Sequence, residues 1–304
     1  MNTNEQTDAL LSELEGMRKA CFPKLMLSLV LIIFGFITFL FMPPVSIVLI
    51  IIGFLLMFFW YSPAKKLYRG RYKETLVNGL FTQYFDNISY QPESGFSEGF
   101  IQSTGFMMMG NIFHSEDMIT GEYKGVHFER ADVTIQEETE TTDANGNTTT
   151  STTTYFQGRW VIFSHNKHFD YDLQLVQKGF SHSRNKTGFF TRKTDRRHEV
   201  EFENEEFNRN FKCYCQDDQE AFYLITPQLM EAVMSYAGTK KDRLMLGFRN
   251  DYIHAATQNG KDSLEPSTFR QVSYEHDILP IMEEIDAIRS FVDTLNLDRD
   301  IFKA

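Results

Sequence analysis

Two apolar runs near the start of the chain dominate its hydrophobic pattern. They cover Leu25–Phe41 and Val45–Tyr61, and only Met42–Pro44 separates them. Each run holds about 17 residues without a charge, which corresponds to about 26 Å of helix, close to the roughly 30 Å hydrocarbon core of a bilayer. The pattern predicts a transmembrane helical hairpin over residues 25–61.

Two other structures produce similar apolar runs, and the residues argue against both. A buried hairpin in a soluble core normally keeps a polar stripe, but Leu25–Leu31 and Val45–Met57 are apolar on every face. A cleaved secretory signal does not fit because a second span follows directly and because carboxylates precede the first. These carboxylates are Glu5, Asp8, Glu13 and Glu15. We therefore expect both spans to stay in the mature protein.

The positive charges around the two runs indicate how the hairpin is oriented. Arg18, Lys19 and Lys24 precede the first run, and Met42–Pro44 carries no charge. A basic collar follows the second run, and it consists of Lys65, Lys66, Arg69, Arg71 and Lys73. Because Lys and Arg accumulate on the cytoplasmic side of a bilayer, we expect both termini in the cytoplasm. Contact of the collar with anionic lipid headgroups is a second interpretation, after topology signalling alone.

Helical periodicity continues on both sides of the hairpin. Residues 1–24 predict a cytosolic segment with a short amphipathic helix, whose apolar side includes Leu10, Leu14 and Met17. Residues 62–87 predict a juxtamembrane helix that connects the hairpin to the rest of the chain. The remaining residues, 88–304, are long enough for one cytosolic domain or two small ones.

The pattern changes to short alternations after Ile88, which is typical of strands and loops. Gly121–Ile135 predicts a strand with a possible turn at Gly125, and Tyr155–Phe163 is its expected partner. The tract between them, residues 136–154, contains Glu, Thr, Asn and Ser and cannot bury a core. We expect a long hairpin with a disordered or solvent-projecting tip.

The last third of the chain predicts further helices and strands. Thr226 and Pro227 form a helix start, with Thr as the N-cap and Pro at the first helical position. Arg243–Phe248 and Tyr252–Thr257 predict a hairpin, and an apolar seam predicts a closing helix over Ile278–Leu297. The expected fold is α+β: a two-helix transmembrane hairpin, then a cytosolic antiparallel sheet with helices.

Net charge separates the membrane-proximal part of the chain from its body. The whole chain carries −11, whereas residues 75–304 hold 36 Asp and Glu against 22 Lys and Arg, a net charge of −14. An acidic body argues against nucleic acid as a partner, because phosphate binding needs positive charge. The three cysteines, Cys21, Cys213 and Cys215, are expected to be free thiols, because the predicted compartment is reducing.

One segment of the acidic body has the opposite charge. Between Arg184 and Arg197 there are six cations and one anion around Gly188-Phe189-Phe190. The residues considered for contact with a lipid or an acidic partner are Arg184, Lys186, Phe189, Phe190, Arg192, Lys193, Arg196 and Arg197. The alternative is a solvated loop balanced by the acidic run Glu199–Glu206.

Familiar catalytic and cofactor motifs are missing from the sequence. There is no G-x-S-x-G, Walker A, H-E-x-x-H or strand-associated G-x-G-x-x-G pattern. The Cys213/Cys215 pair and the loosely spaced His165, His168 and His198 are weak signals for a metal. We therefore predict no catalytic residue, no cofactor site and no metal site.

Several segments resemble a known family in content and order. They are Glu116–Gly121, Phe156–Gly158, Glu201–Phe211, Asp217 and Ala221–Pro227. In these segments the chain resembles the bacterial family catalogued as domain of unknown function 3137, over roughly residues 65–297. The resemblance implies a membrane hairpin ahead of the domain and a place in the bacterial cytoplasmic (inner) membrane, and it implies no catalytic residue.

Two functions remain open at the level of sequence. The leading hypothesis is a multi-pass, membrane-tethered cytosolic module for binding or scaffolding, with the lipid bilayer and a membrane or cytosolic protein as partners. The alternative is a membrane-bound enzyme, for example a hydrolase, with an active site in the cytosolic domain that no motif reveals. Binding is the favoured hypothesis, and enzymatic activity is the alternative.

Overall fold

The chain divides into two compact units. The computed structural model describes residues 3–143, 146–180, 196–239, 242–260 and 264–295. Unit 1 contains Met1–Gln83 and Leu264–Ile285, and unit 2 contains Tyr84–Ser263 and Asp286–Ala304. The two apolar helices belong to unit 1 and a seven-stranded sheet belongs to unit 2. The predicted α+β class is confirmed.

Unit 1 begins with two long helices. Helix α1 is one unbroken helix, Thr3–Thr38, which contains Pro23. The expected short N-terminal helix is therefore not a separate element, because the helix continues into the first apolar run. The second helix starts at Pro43, where the missing N–H needs no partner. It consists of α2 (Pro43–Leu56), a π-helical turn (Met57–Tyr61), α3 (Ser62–Tyr72), a second π-helical turn (Lys73–Asn78) and α4 (Gly79–Tyr84).

Small residues allow α1 and α2 to pack closely. A Cβ on Gly35 would lie 2.6 Å from Ile50 Cγ1, and a Cβ on Gly53 would lie 2.6 Å from Ile32 Cγ1. Close packing of this kind is how apolar helices associate where no hydrophobic force drives them together. The hydroxyls of Thr38 and Ser46 are also 3.0 Å apart across the pair. The hairpin is therefore held by shape and by a polar contact.

The outer surface of the helix pair is apolar. Large hydrophobic side chains from Phe22 to Trp60 are exposed, and Leu40 and Phe41 are 86% and 81% exposed. The helices Thr7–Thr38 and Pro43–Tyr84 are both long and apolar enough to cross a bilayer. An apolar surface of this extent marks contact with a membrane or another protein, and its length indicates membrane association.

Residues 264–285 contact the charged ends of the long helices within unit 1. Glu15 forms an ion pair with Arg18 at 2.8 Å and also accepts the Val272 N–H at 3.0 Å. Arg18 Nη1 donates to the Thr268 carbonyl at 3.0 Å, and Tyr72 Oη donates to Asp277 at 3.3 Å. Polar groups near the apolar helices thus have partners inside unit 1.

Seven antiparallel strands make up the sheet of unit 2. They are β1 (Asp86–Gln91), β2 (Ile112–Tyr123), β3 (Val126–Thr142), β4 (Thr148–Gln177), β5 (His198–Val200), β6 (Phe211–Cys215) and β7 (Arg243–Gln258). The order is β1-β2-β3-β4-β6-β5, and β7 pairs with β4. Strand β4 has 30 residues, which is long enough to pair with three strands. Along one edge it pairs first with β3 and then, nearer its C-terminal end, with β6. Along the other edge it pairs with β7.

Four short helices and the end of a fifth accompany this sheet. They are α5 (Glu98–Thr104), α6 (Glu205–Asn210), α7 (Asp218–Leu224), α8 (Pro227–Thr239) and α9 (Leu279–Thr294). The predicted helix start is confirmed, since the Thr226 hydroxyl accepts the Leu229 N–H at 3.3 Å. Phe291 of α9 packs against Phe163 and Tyr236 with ring centroids 6.1 and 5.5 Å apart.

The main core lies on one face of the sheet, under α5 and the loop that follows it. Its members include Phe96, Ile101, Phe106, Ala131, Val133, Ile135, Phe156, Trp160 and Met245. Gly247 provides space for this packing, because a Cβ there would lie 2.3 Å from the Phe106 ring. Cys213 and Cys215 are buried free thiols in β6, as expected, and Cys21 is a buried free thiol in α1.

The predicted hairpin of β3 and β4 is confirmed with an ordered, projecting tip, whereas the hairpin predicted near the C-terminal end of the sheet is wrong. The tract 136–154, expected to be disordered or projecting, is paired from Gln136 with Thr154 to Thr142 with Thr148. Strand pairing needs only backbone partners, so a composition without a core does not prevent it. Arg243–Thr257 is one strand instead of a hairpin. Asn250 has a left-handed conformation (φ 53°), but it pairs with Phe169, and the chain therefore continues along β4.

We predict that Gly53→Leu destabilises the helix pair by roughly 1–3 kcal/mol through overpacking. Gly16→Leu is the matched control, because a side chain at Gly16 would meet nothing within 4 Å and Leu favours a helix more than Gly does. The measurement is thermal unfolding of the two variants in the same detergent. Equal melting temperatures would contradict the close packing.

Candidate binding surface

Strand β3 separates apolar from polar side chains. Ala131, Val133 and Ile135 belong to the core, so the alternate positions point to the opposite face. Those positions are Arg130, Asp132, Thr134, Gln136, Glu138, Glu140 and Thr142. We call the surface built on these seven residues the polar face. It extends along roughly 40 Å of strand.

Neighbouring strands widen the polar face into two rows. Thr134 pairs with His114 of β2 and with Gln157 of β4. Asp132 pairs with Glu116 of β2 and with Arg159 of β4 in the same way. Directly opposed residues share a face of the sheet. The six side chains therefore form a compact polar array, which the β register brings together.

The buried end of the polar face contains compensated charges. Arg130 is fully buried, and its Nη2 donates to Asp132 Oδ1 at 3.1 Å while its Nη1 lies 3.0 Å from Asp132 Oδ2. Arg130 Nη1 also donates to the Asp117 carbonyl at 3.2 Å. Asp117 sits in a β-bulge with φ 58°, and Tyr90 Oη donates to its carboxylate. Removing one partner would leave an uncompensated buried charge, so this end is structurally fixed.

A small cavity opens on the polar array. Its volume is about 90 Å³, and its lining includes His114, Glu116, Asp132, Thr134 and Gln157. His114 Nε2 lies 3.2 Å from Glu116 Oε1, and the His114 side chain is 65% exposed. The cavity has room for a few water molecules. Its carboxylate and amide oxygens are suited to accept hydrogen bonds from a polar or cationic group.

The polar face continues onto a two-stranded ribbon. The ribbon is Glu137–Thr142 of β3 paired with Thr148–Thr153 of β4, and it extends past the ends of β2 and β7. Its side chains are mostly exposed. Between residues 136 and 158 there are four carboxylates and no Lys or Arg. The ribbon is therefore an acidic arm without a hydrophobic core.

Polar contacts define both ends of the ribbon. At its base, Gln136 Nε2 donates to Thr154 Oγ1 at 3.0 Å. At its tip, the Asn147 N–H donates to Asp143 Oδ1 at 2.9 Å, and the Asp143 N–H donates to the Asn147 carbonyl at 2.9 Å. Side-chain closure of a turn is typical of Asp and Asn. These contacts close the tip of the ribbon between Asp143 and Asn147.

Three of the five residues of the basic collar form ion pairs within unit 1. Arg69 and Lys73 both form ion pairs with Glu265, that of Arg69 at 2.6 Å, and Lys73 is 1% exposed. Arg71 pairs with Glu13 at 2.9 Å. The other two members of the collar, Lys65 and Lys66, are exposed. Contact of the collar with lipid headgroups therefore stays a prediction that depends on these two lysines.

The basic segment is described only at its C-terminal end. Arg184, Lys186, Phe189, Phe190, Arg192 and Lys193 lie outside the described residues. Arg196 is exposed, as a surface contact requires. Arg197 is only 7% exposed and donates to Gln174 Oε1 at 3.1 Å and to the Gly105 carbonyl at 2.9 Å. For Arg197 the expected surface contact is corrected, because its guanidinium is already bonded in the interior of unit 2.

Arg197 belongs to a set of side chains that hold the loop after α5. Three consecutive carbonyls, those of Thr104, Gly105 and Phe106, accept from Arg249 (3.0 Å), Arg197 (2.9 Å) and Gln174 (2.8 Å), respectively. The last carbonyls of a helix have no partner within the helix. Side chains of unit 2 supply these partners and fix the loop above the core.

Groups with displaced pKa values in unit 2 lie away from the small cavity. Burial lowers the pKa of His254 to about 3, and its Nδ1 accepts from Trp160 Nε1 at 3.2 Å. Burial also raises the pKa values of the Cys213 and Cys215 thiols. A second, apolar cavity of about 270 Å³ lies between α8 and α9 and includes Leu229, Val233 and Phe291 in its lining.

Sequence reasoning did not find the polar array. His114, Glu116, Asp132 and Gln157 come from three strands, and their convergence depends on the pairing register. The available signal was the uninterrupted polar alternation of β3 from Arg130 to Thr142. That signal shows a polar face but does not show which residues of β2 and β4 join it.

We predict that Arg197→Gln destabilises unit 2 by about 1–3 kcal/mol, because buried acceptors lose a charged donor. Arg196→Gln is the matched control, since a surface substitution usually stays within about 0.5 kcal/mol. Urea unfolding of the full chain in detergent, followed by the fluorescence of the buried Trp160, measures both. Equal unfolding midpoints would show that the Arg197 contacts do not stabilise the fold.

Comparisons with known proteins find that part of the chain is similar to a known family. No curated protein matches the sequence. One similar solved structure is the crystal structure of the mycobacterial trehalose monomycolate transport factor A, TtfA, at 8% identity and a TM-score of 0.36, covering 73% of this chain and 95% of that one. Residues 154–297 match the model of the family described as "Protein of unknown function (DUF3137)". The resemblance noted from the sequence is thereby confirmed over residues 154–297, where the chain is similar to the DUF3137 family.

Proposed function

We propose that the chain is a membrane-tethered binding module in the bacterial cytoplasmic membrane. Helices α1 and α2 anchor it, and unit 2 presents the polar face to a protein partner. The observation that carries this proposal is that the polar face continues onto an exposed ribbon. Between residues 136 and 158 the chain has four carboxylates and no Lys or Arg. A cationic surface of a partner fits this charge.

The two ends of the polar face have different roles in this proposal. At the buried end, Arg130 neutralises Asp132, so these charges serve the fold. At the ribbon, Glu138 and Glu140 are exposed and contribute to no core. Because core packing does not explain why the ribbon is ordered and acidic, we assign it a role in binding a partner.

Binding is favoured over the enzymatic alternative. In the described part of unit 2, His254, Cys213 and Cys215 have pKa values displaced by burial, and none of them lines either cavity. Displaced pKa values that gather in a cleft are a signature of catalysis. Here they mark the core. The cavity on the polar array is also small compared with ordinary ligand pockets, which measure roughly 300–1,000 Å³.

The proposed topology places both termini in the cytoplasm. It rests on the uncharged Met42–Pro44 tip and on the cations that flank the helix pair. The polar face then lies in the cytoplasm, where a cytosolic protein or the cytosolic part of a membrane protein reaches it.

We predict that alkaline phosphatase fused after Thr154 is inactive, because that enzyme folds only outside the cytoplasm. The same reporter inserted after Pro44 is the matched control and is expected to be active. Green fluorescent protein fused after Thr154 is expected to be fluorescent. Phosphatase activity after Thr154 would contradict the proposed topology.

We predict that the ribbon is needed for binding of a companion protein and not for folding. A variant in which Asn-Gly joins Glu137 directly to Thr153 should keep the fold, because these residues are already paired with their backbone groups directed to each other, and a two-residue loop suits such a pair. The full chain, purified from gently solubilised membranes, is expected to retain a companion protein that raised salt releases. The ribbonless variant should lose the same companion and keep its melting temperature within a few degrees. A companion that both proteins retain equally would contradict the proposal.

A further inference from the structure

We infer that the ribbon binds an extended, basic segment of a partner protein as a third strand on the free edge of β4. This inference rests on the proposed function and specifies both the partner and its mode of binding. Strand addition uses backbone hydrogen bonds for affinity and side chains for specificity. The structure supports each requirement separately.

On the β3 edge of the ribbon, contacts with Asn111 show which way the backbone groups of Glu138 point. Asn111 Nδ2 donates to the Glu138 carbonyl at 2.8 Å, and the Glu138 N–H donates to Asn111 Oδ1 at 2.8 Å. Glu138 therefore turns its backbone groups away from β4. Its pair partner Thr152 must turn its own away from β3, since opposed residues in an antiparallel pair are either both bonded to each other or both directed outward.

The same parity applies along the β4 side of the ribbon. Thr148, Thr150, Thr152 and Thr154 direct their N–H and C=O groups to the outer edge. The pairing of β4 with β7 starts only at Gly158, and the Gln157 carbonyl accepts the Asn259 and Gly260 N–H groups at 3.3 and 3.0 Å. Within the described residues, no strand pairs with the β4 edge from Thr148 to Thr154. This edge spans roughly 20 Å, enough for a short strand.

The edge lacks the devices that usually protect exposed strands. Edge strands are normally blocked by Pro, Lys, inward charges or bulges. Residues 148–154 are six Thr and one Ser, and Thr has a high strand propensity. The register shift near Tyr155 lies below this stretch, at the base of the ribbon. The sequence therefore favours a flat edge that is competent for pairing.

Charge determines the kind of strand that binds. The ribbon region between residues 136 and 158 holds four carboxylates and no Lys or Arg. A partner segment with several Lys or Arg residues is attracted to it, whereas the ribbon of a second copy of this chain would bring the same four carboxylates and be repelled. The occupant is therefore a basic segment, and we assign it to another protein; binding of this chain's own Arg184–Arg197 would give cross-links within or between copies instead.

Binding would also complete the ribbon itself. A two-stranded hairpin without a hydrophobic face is marginally stable in water, and three strands are normally needed. The four backbone positions on the β4 edge would gain partners, and β4 would become the central strand of a three-stranded sheet. Protection of these amides from hydrogen exchange is the direct signature.

The test uses the full chain in the membranes of its own host. A photo-crosslinking amino acid replaces Thr152, whose side chain lies on the polar face next to the edge. The edge variant Thr150→Pro removes one outward N–H without removing a ribbon bond, since proline is tolerated at a free edge. Thr150→Val is its matched control, because it keeps the N–H and the strand propensity. A third variant carries Glu138→Gln and Glu140→Gln.

The expected result is a cross-linked peptide with a net positive charge, mapped by mass spectrometry to a protein other than this chain. Thr150→Pro should reduce its yield at least tenfold, Thr150→Val should leave it unchanged, and the double Gln variant should reduce it and flatten its dependence on salt. Amides of residues 148–154 should exchange more slowly in the captured complex than in the free chain. Each variant's melting temperature is recorded as a control for folding.

Other outcomes overturn the inference. Cross-links only within or between copies of this chain would show self-association, and a neutral or acidic peptide would exclude charge selection. A basic peptide whose yield Thr150→Pro leaves unchanged would exclude strand addition. In that last case the proposed binding function would still hold if the ribbonless variant loses its companion. The two proposals can therefore be contradicted independently. The absence of any cross-link together with a companion lost by the ribbonless variant would likewise overturn only the strand addition.

Discussion

Side chains of β3 point alternately to the core and to the polar face, and most of unit 2 depends on that period of two. Val133 and Ile135 pack under α5, while Asp132 and Thr134 face the other way. A register slip of one residue would exchange the two sets and place Asp132 and Thr134 in the apolar core instead of Val133 and Ile135. The core therefore fixes the pairing, and the pairing in turn brings His114, Thr134 and Gln157 into one row. The polar array is a consequence of core packing on the other side of the sheet.

Arg130 shows how charge is accommodated where the polar face enters the interior. Its guanidinium is fully buried, and desolvation of such a group costs several kcal/mol unless partners compensate it. Asp132 and the Asp117 carbonyl provide those partners, and Tyr90 donates to the Asp117 carboxylate from β1. The network connects β1, β2 and β3 through side chains as well as through the backbone. It therefore specifies where the bulge at Asp117 lies and keeps the neighbouring cavity in shape.

Local features could be predicted from the sequence, and long-range ones could not. The apolar helix pair and the helix start at Thr226 depend on neighbouring residues, so periodicity and capping rules found them. The order of the ribbon was missed because composition describes core formation, whereas the ribbon is held by backbone pairing and by polar side-chain contacts. Arg197 was grouped with surface cations because charge counting does not show that Gln174 and Gly105 lie beside it. The continuous β7 was taken for a hairpin because Asn250 looks like a turn residue until its pairing with Phe169 is known.

An ordered arm changes the energetics of recognition. A disordered tract of the same composition would lose conformational entropy on binding, at about 1–2 kcal/mol per residue for the backbone alone. The ribbon has already met much of this cost, because β3 and β4 continue directly out of a packed sheet at Ile135 and Phe156, which are fully buried. Pre-organisation of this kind allows a modest number of backbone bonds and charge contacts to give useful affinity. The core of unit 2 therefore supports the exposed ribbon, and Tyr155, which packs against that core, also donates to Glu137 of the ribbon at 3.0 Å.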